Sequence, residues 1–385
     1  MSIGLLLVLA PAAAVPSLWK AISDEPPATA SQGSAEPVAA AGSEPERFTV
    51  LASGDILIHR AVYERAREYG RASGKAFDFR PMFKPIRPIV SKADLAICHL
   101  EVPLGAPGPL SSYPVFNAPR QVARGIRYAG FDKCSTASNH SYDQGTPGIY
   151  STIDSLHDRR VGHEGTARTR KSGRRAAMYN VGGVKVGHVS FTYGLNGFKL
   201  PEGKSWLANV INAEEIIRQA RGARRRGAEF VIASLHWGNE YQRAPSGFQR
   251  DLARRLMKSR AINVILGHHA HVVQGITTVR RRFVVYGMGN FISAQYSPVD
   301  TQDGLIVKLV VEKVYGRWKV VRIRFTPTWV ARNSYRILPV ARTYNRPGTS
   351  DHLKSILKAS WSRTVSAVHS LGRDERVKPS SRPKF

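Results

Sequence analysis

Three histidines crowd into one short stretch of this chain, Gly267-His268-His269-Ala270-His271, directly after the apolar run Ile262 to Leu266. Imidazole is the commonest neutral metal ligand at physiological pH, and a His-x-His pair leaving a strand can aim two nitrogens into one crevice. Gly267 is expected to let the chain turn sharply where that strand stops. The plain alternative is a polar loop whose histidines face water. Comparable residues recur elsewhere. Asp55 follows the β-rich run Phe48 to Ala52, Glu101 follows Asp94 to Cys98, and Asn139 with His140 follows Gly130 to Ser135. His236 ends the run Phe230 to Leu235. Taken singly, Asp55 reads equally well as a helix cap, and His59, four positions on, as a surface histidine within reach of the same crevice. Together, Asp55, Glu101, Asn139, His140, His236, His269 and His271 fall at strand ends too regularly for chance. Oxygen and imidazole ligands suit Mn, Fe, Zn or Mg rather than thiolate-seeking metals. A carboxylate such as Glu101 can bridge two divalent ions, the arrangement that clamps a phosphoryl or acyl transition state. His140 stands where it could protonate a leaving group.

The elements that must position these residues alternate strand with helix. Pro119 to Ala129 and the segment after Gly145 read as crossover helices, which implies a mainly parallel sheet. Met178 to Tyr193 reads as a hairpin about Gly182-Gly183, with His188 a structural residue inside a strand. Leu305 to Val314 and Trp318 to Phe325 read as a second hairpin about Tyr315-Gly316. Ala213 to Arg226 is an amphipathic helix with Arg218, Arg221, Arg224 and Arg225 on its solvent face. A further helix is expected from Ser246 to Ser259.

The 385 residues are enough for a large core, and 42% hydrophobic with 22% charged residues excludes wholesale disorder. The 57 Lys and Arg against 28 Asp and Glu leave a net charge of +29, a field that attracts polyanions such as nucleic acid, an anionic membrane surface or an acidic polymer. None of the common nucleic-acid-binding motifs is present, so nucleic acid is not the expected partner. Cys98 and Cys134 are expected as buried free thiols, with a disulfide the alternative in an oxidising compartment. Residues 1–22 read as a signal peptide or membrane anchor and 23–46 as a disordered linker, which together imply an extracytoplasmic protein, secreted or membrane-anchored. The body spans 47–330. A basic C-terminal extension over 331–385 contains a helix around Leu353, Ile356, Leu357 and Trp361, expected to pack on the body and to be followed by a disordered end from Gly372.

In order, Gly54-Asp55, Leu100-Glu101, Ser138-Asn139-His140 with Asp143, His236-Trp237-Gly238 with Glu240-Tyr241, the histidine cluster with Val272 and Gln274, and Tyr286 with Gly289-Asn290-Phe291 resemble the CapA-type capsule-synthesis family. That family is associated with poly-γ-glutamate and belongs to the metallophosphatase-like superfamily. The resemblance covers Phe48 to Phe291 and implies an α/β fold, a four-layer α/β/β/α sandwich. It also implies one or two divalent ions. Carried over by position, Asp55, Glu101 and His271 would hold one, while Glu101, Asn139, His236 and His269 would hold the other. His140 would be the acid, with Asp143, Glu240 and Asn290 accessory. The metallophosphatase Asp-x-His is broken, since Leu57 stands where its histidine belongs; the first ion would then be weakly held, absent, or completed by His59 or His99. The implied activity is metal-dependent hydrolysis or transfer in the synthesis, transfer or anchoring of poly-γ-glutamate or a related anionic polymer. A membrane synthase complex is an implied partner. The alternative is a non-catalytic polymer-binding scaffold of such a complex.

Overall fold

The computed structural model describes residues 46–385. The leader expected over 1–22 and the linker over 23–46 lie outside the described residues, save Glu46 itself. Two sheets form the frame, with strands numbered in chain order. The nine-stranded sheet runs β14 (Ile337–Pro339), β13 (Arg317–Val330), β12 (Asp303–Val314), β1 (Arg47–Ile56), β2 (Leu95–Leu100), β3 (Lys133–Ser135) and β4 (Gly162–Glu164). β11 (Asn290–Ile292) joins it beside β1, and β15 (Val377–Pro379) beside β13. The six-stranded sheet runs β5 (Ala177–Val181), β6 (Val184–Thr192), β7 (Phe230–His236), β8 (Val264–His268), β10 (Arg282–Val285) and β9 (Ile276–Val279). β1 to β4 are mutually parallel, as are β6, β7, β8 and β10. The hairpins about Gly182-Gly183 and Tyr315-Gly316 form where the sequence places them.

The packing of apolar side chains defines the layers. Successive strand residues face opposite sides of a sheet. Leu95 and Ile97 of β2 therefore meet Phe230 and Ile232 of β7, and Val264 and Leu266 of β8, between the two sheets. Ala96, Cys98 and Leu100 point the other way, against Val62, Met82, Phe83 and Ile126 from helices Arg60–Arg71, Arg80–Phe83 and Val122–Ala129. Val231, Ala233 and Leu235 pack outward on Ile216, Ala220, Leu252 and Leu256 of helices Ala213–Arg225 and Gly247–Lys258. Helix, sheet, sheet, helix is the α/β/β/α sandwich expected from the resemblance.

Three expectations are corrected. Cys98 and Cys134 are a disulfide, not free thiols: they are register partners on neighbouring parallel strands, Cα atoms 4.4 Å apart, so both side chains leave the same face. The end beyond Gly372 is ordered, because β15 adds in parallel to β13 (Ile323↔Val377) and satisfies backbone groups of that edge. Arg224 does not lie on a solvated face; it turns inward to the carbonyls of Ala228 and Ala261 and the side chain of Asn263. Helix Asp351–Val368 sets Leu357 and Trp361 on Trp329 and Val340, and its Ser360 and Arg363 bind Asp303. No helix among the described residues is long and apolar enough to cross a membrane.

Candidate metal centre

The face between the sheets is apolar at one end and polar at the other. Along β2 it reads Leu95, Ile97, His99 and then Glu101; along β7, Phe230, Ile232, Ser234, His236; along β8, Val264, Leu266, His268. His236 is the register partner of both Thr192 and His268, and Asp55 of both His99 and Asn290. The same period that builds the inter-sheet core thus delivers imidazoles and carboxylates to its far end. The cluster is interior: Asp55 and His236 are 0% exposed, Glu101 1% and His271 3%.

Asp55 reaches this face only through a bulge. Ala52 pairs with Ile97, and Asp55, three residues on, pairs with His99, two residues on. The extra residue in β1 reverses the alternation, so that Asp55 rather than Gly54 points between the sheets. Gly54 must be glycine because the backbone of Met288 and Gly289, entering β11, presses on it. A Cβ there would lie 2.1 Å from the Gly289 carbonyl oxygen, and the Asp55 amide donates to that same oxygen (2.9 Å).

Gly267 has a different role from the turn expected of it. It lies inside β8, where a Cβ would sit 1.9 Å from the Tyr286 carbonyl oxygen. The turn falls on the histidines themselves, His269 at φ 87° and His271 at φ 57°. Non-glycine residues adopt that region rarely and at a cost. The His269 amide donates to Asp55 Oδ2 (3.1 Å) and the Tyr241 amide to the Ala270 carbonyl (2.8 Å), which hold the loop in place.

Within the cluster Asp55 Oδ1 lies 3.0 Å from His268 Nδ1, and Oδ2 lies 3.4 Å from His271 Nδ1. Glu101 Oε1 is 3.6 Å from His271 Nε2 and 3.8 Å from His236 Nε2. Asn139 Oδ1 is 2.7 Å from His236 Nε2, and the rings of His236 and His269 are 4.7 Å apart. The residues expected for both ion sites are therefore neighbours. His99 bridges Ser135 Oγ (2.8 Å) and His236 Nδ1 (2.9 Å) and stacks on His268 at 3.9 Å. His268 is not among the expected ligands, yet it is legible by parity: it continues Val264 and Leu266 on the inward face.

Burial raises the Asp55 carboxyl, but hydrogen bonds from His268 and His271 outweigh it and hold the group well below the usual carboxylate range. Burial pushes Glu101 well up. For His271 burial is outweighed by Glu101 and Asp55, which lift it to about 9. Burial, then neighbouring imidazoles, pulls His99 and His236 down, and takes His269 to about 3. Most of the imidazoles are thus neutral and ready to ligate.

The ligating atoms of Glu101, His269 and His271 lie within 4.8 Å of one another, as do those of Asp55, His99 and His268. The two groups are not equivalent. In the second, both nitrogens of His99 and both oxygens of Asp55 already have partners. In the first, both Glu101 oxygens and His269 Nδ1 are buried with no hydrogen-bond partner. Such orphaned atoms are costly in a native interior, and a divalent cation is the partner that fits them.

At the rim, His140 Nδ1 pairs with Asp143 Oδ2 (2.7 Å), which also accepts from the Phe116 amide (2.7 Å). Phe116 meets the His140 ring edge-on, and the amide of Asn196 reaches both Asn139 and His140. Asn290 Oδ1 lies 3.0 Å from His271 Nδ1. Two accessory candidates fall outside the groups. His59 Nδ1 accepts from the Ala294 amide (3.3 Å), and Glu240 is exposed on the turn after β7. Leu57, in the Asp-x-His position, is buried in the helix-side core. His188 is structural, bonded to Ser234 Oγ at 2.9 Å.

The chain is 25% identical over 273 residues to the capsule biosynthesis protein CapA of Bacillus anthracis, covering 69% of this chain and 64% of that protein. It therefore spans less than two thirds of that relative's length. It is 25% identical over 299 residues to the PGA biosynthesis protein CapA of Bacillus subtilis, covering 75% of each. Among solved structures, the calcineurin-like phosphoesterase YfkN of Bacillus subtilis aligns with a TM-score of 0.43 at 15% identity, over 83% of this chain and 98% of that one. Residues 49–295, which hold every member of the cluster from Asp55 to Asn290, match the family described as bacterial capsule synthesis protein PGA_cap, and the chain belongs to that family.

Proposed function

We propose that the protein is an extracytoplasmic, metal-dependent hydrolase or transferase acting on an anionic cell-envelope polymer. Family membership favours poly-γ-glutamate, in its synthesis, transfer or anchoring. The observation that carries the proposal is the buried Glu101 carboxylate, neither oxygen of which has a hydrogen-bond partner, facing His269 and His271. Asp55, Glu101 and His271 would hold one divalent ion, and Glu101, Asn139, His236 and His269 a second; the donor set suits Mn, Fe, Zn or Mg. When bound, such ions polarise a phosphoryl or carbonyl oxygen as Lewis acids. The chain's own residues supply orientation and a proton. Asp143 takes the Nδ1–H of His140, which fixes the ring and leaves Nε2 to carry a proton toward a leaving group. With an ion held there, His99 would accept the Nδ1–H of His236 and leave its Nε2 free to ligate beside Asn139 and Glu101. The Cys98–Cys134 disulfide supports an oxidising compartment and so an exported body, secreted or membrane-anchored. A membrane synthase complex and the anionic membrane surface are the further partners of this reading.

The test is turnover of phosphoesters and of poly-γ-glutamate by the chelator-stripped full chain, with and without added Mn. Mn-dependent turnover lost in His140→Ala and His236→Ala supports catalysis; no metal uptake and no turnover on either substrate defeats it. The second reading, a polymer-binding scaffold, is favoured by Leu57 in place of the motif histidine. A scaffold keeps its cellular role when His140 and His236 are substituted, and a catalyst does not.

A further inference from the structure

At the end of the sandwich away from the polar cluster the surface is concave and basic. A cavity of about 1050 Å³ opens there, lined in part by residues of the β9–β10 and β12–β13 turns. Glu229, which lines it, stands just before β7, and His236 ends that strand, about 23 Å away at ~3.3 Å per residue. Lys258, Arg260, Arg280, Arg281, Arg317 and Lys319 line it and are exposed. Among the described residues no carboxylate pairs with any of the six. Glu229 is the only acid in the lining, and it already accepts from Trp318 Nε1 (3.2 Å).

Behind these stand Arg224 and Arg282. Arg224 is bonded to the Asn263 side chain and to carbonyls of Ala228 and Ala261, and Arg282 to carbonyls of Met257, Ser259 and Ile262. Neutral oxygens fix the two guanidinium groups without cancelling their charge. Burial, and then cationic neighbours, disfavours the charged form of each. The turn is a second, independent sign. Arg280 (φ 51°) and Arg281 (φ 62°) form the two-residue loop between β9 and β10, with both backbones in the left-handed region. Asn-Gly is the pair such a loop prefers. Arginine at both positions is a poor choice for folding and a good one for placing two guanidinium groups on a cavity rim.

We propose that this cavity is a groove for an acidic polymer chain, binding a run of its carboxylates away from the polar cluster. Planar guanidinium groups pair with carboxylates in two-pronged fashion, and four of the six exposed cations lining the cavity are arginine. A concave site takes in a chain, whereas a bilayer is met by a flat or convex face. The groove stands on its own geometry; a polycarboxylate as its occupant rests on the function proposed above.

The test is binding of fluorescently labelled poly-γ-glutamate to the full chain by anisotropy, at low and at physiological salt. Arg280→Asn with Arg281→Gly removes two cations while giving the turn its preferred residues. Arg221→Gln with Arg225→Gln removes the same charge from exposed positions of helix Ala213–Arg225. The turn variant is expected to bind at least about tenfold more weakly, as the loss of one charged hydrogen bond gives, and the helix variant to bind as the parent does. Equal weakening in both variants would overturn the groove in favour of bulk charge. Turn-dependent binding to phosphatidylserine vesicles but not to the polymer would overturn the occupant. Polymer binding lost in Glu101→Gln yet intact in the turn variant would put the chain at the polar cluster, overturning the groove while leaving the proposed function standing.

Discussion

Replacing Glu101 by glutamine is expected to stabilise the metal-free protein. Both carboxylate oxygens are buried without a hydrogen-bond partner, and the nearest basic nitrogens, on His271 and His236, lie at 3.6 and 3.8 Å, beyond good hydrogen-bonding distance. An unsatisfied buried polar group costs about 1–3 kcal/mol, and a charged one more. Glutamine leaves a neutral group of nearly the same shape unsatisfied but removes the extra cost of burying a charge, less the attraction that Glu101 gives His271, so the variant should gain about 1 kcal/mol. At ~2 °C per kcal/mol this is a rise of about 2 °C in Tm. The same change removes the anionic ligand. Parent protein at a hundredfold excess of Mn over Kd should gain about 2.7 kcal/mol, and the variant well under half of that. Calorimetric unfolding of chelator-treated and Mn-loaded samples of both proteins reads all four numbers. A metal-free variant less stable than the parent, or an equal Mn-induced shift in both, would refute the inference that this carboxylate is held for a cation.

Gly54→Ala should cost about 2 kcal/mol or more and weaken Mn binding, because its Cβ would meet the backbone oxygens of Gly289 and Met288 at 2.1 and 2.7 Å and displace the bulge that aims Asp55. Gly222→Ala, whose Cβ meets nothing nearer than 3.8 Å within helix Ala213–Arg225, should be neutral or stabilising in the same thermal assay. Metal affinity should rise with pH up to about 9, where His271 sheds the proton an ion must displace, by at most about tenfold per pH unit for each proton released; a flat titration-calorimetry profile would contradict it. Denatured, unreduced protein should show no reactive thiol toward Ellman's reagent, and both cysteines should react after reduction.

Much of the frame is visible in the sequence because it depends on local pattern. Runs such as Phe230 to Leu235 alternate between two cores, glycine pairs mark hairpins, and polar residues follow each run where the strand stops. Those features suffice to set Glu101, Asn139 and His236 at one end of the frame, with Asp55, His269 and His271 close by in the chain to the same strand ends. What stays hidden depends on contacts distant in the chain. The bulge that turns Asp55 inward exists because Gly289 approaches Gly54 across β11. The left-handed turns at His269 and His271 are held by the His269 amide donating to Asp55 and the Tyr241 amide donating to the Ala270 carbonyl, and no propensity forecasts them. The Cys98–Cys134 bond needs the β2–β3 register, which neither strand encodes alone. β15 is a short run in a basic tail that becomes a strand only because β13 offers an edge. Arg224 looks like one more solvated arginine until the Asn263 side chain comes within reach.

The most direct test of the central claim is the metal content of the full chain after loading with Mn and desalting, measured by inductively coupled plasma mass spectrometry beside Glu101→Gln and His236→Ala. About one or two equivalents per chain in the parent, with a marked fall in both variants, is the expected result. Retention below about a tenth of an equivalent by the parent, or equal retention in all three, would contradict the assignment of the inter-sheet cluster as a metal centre.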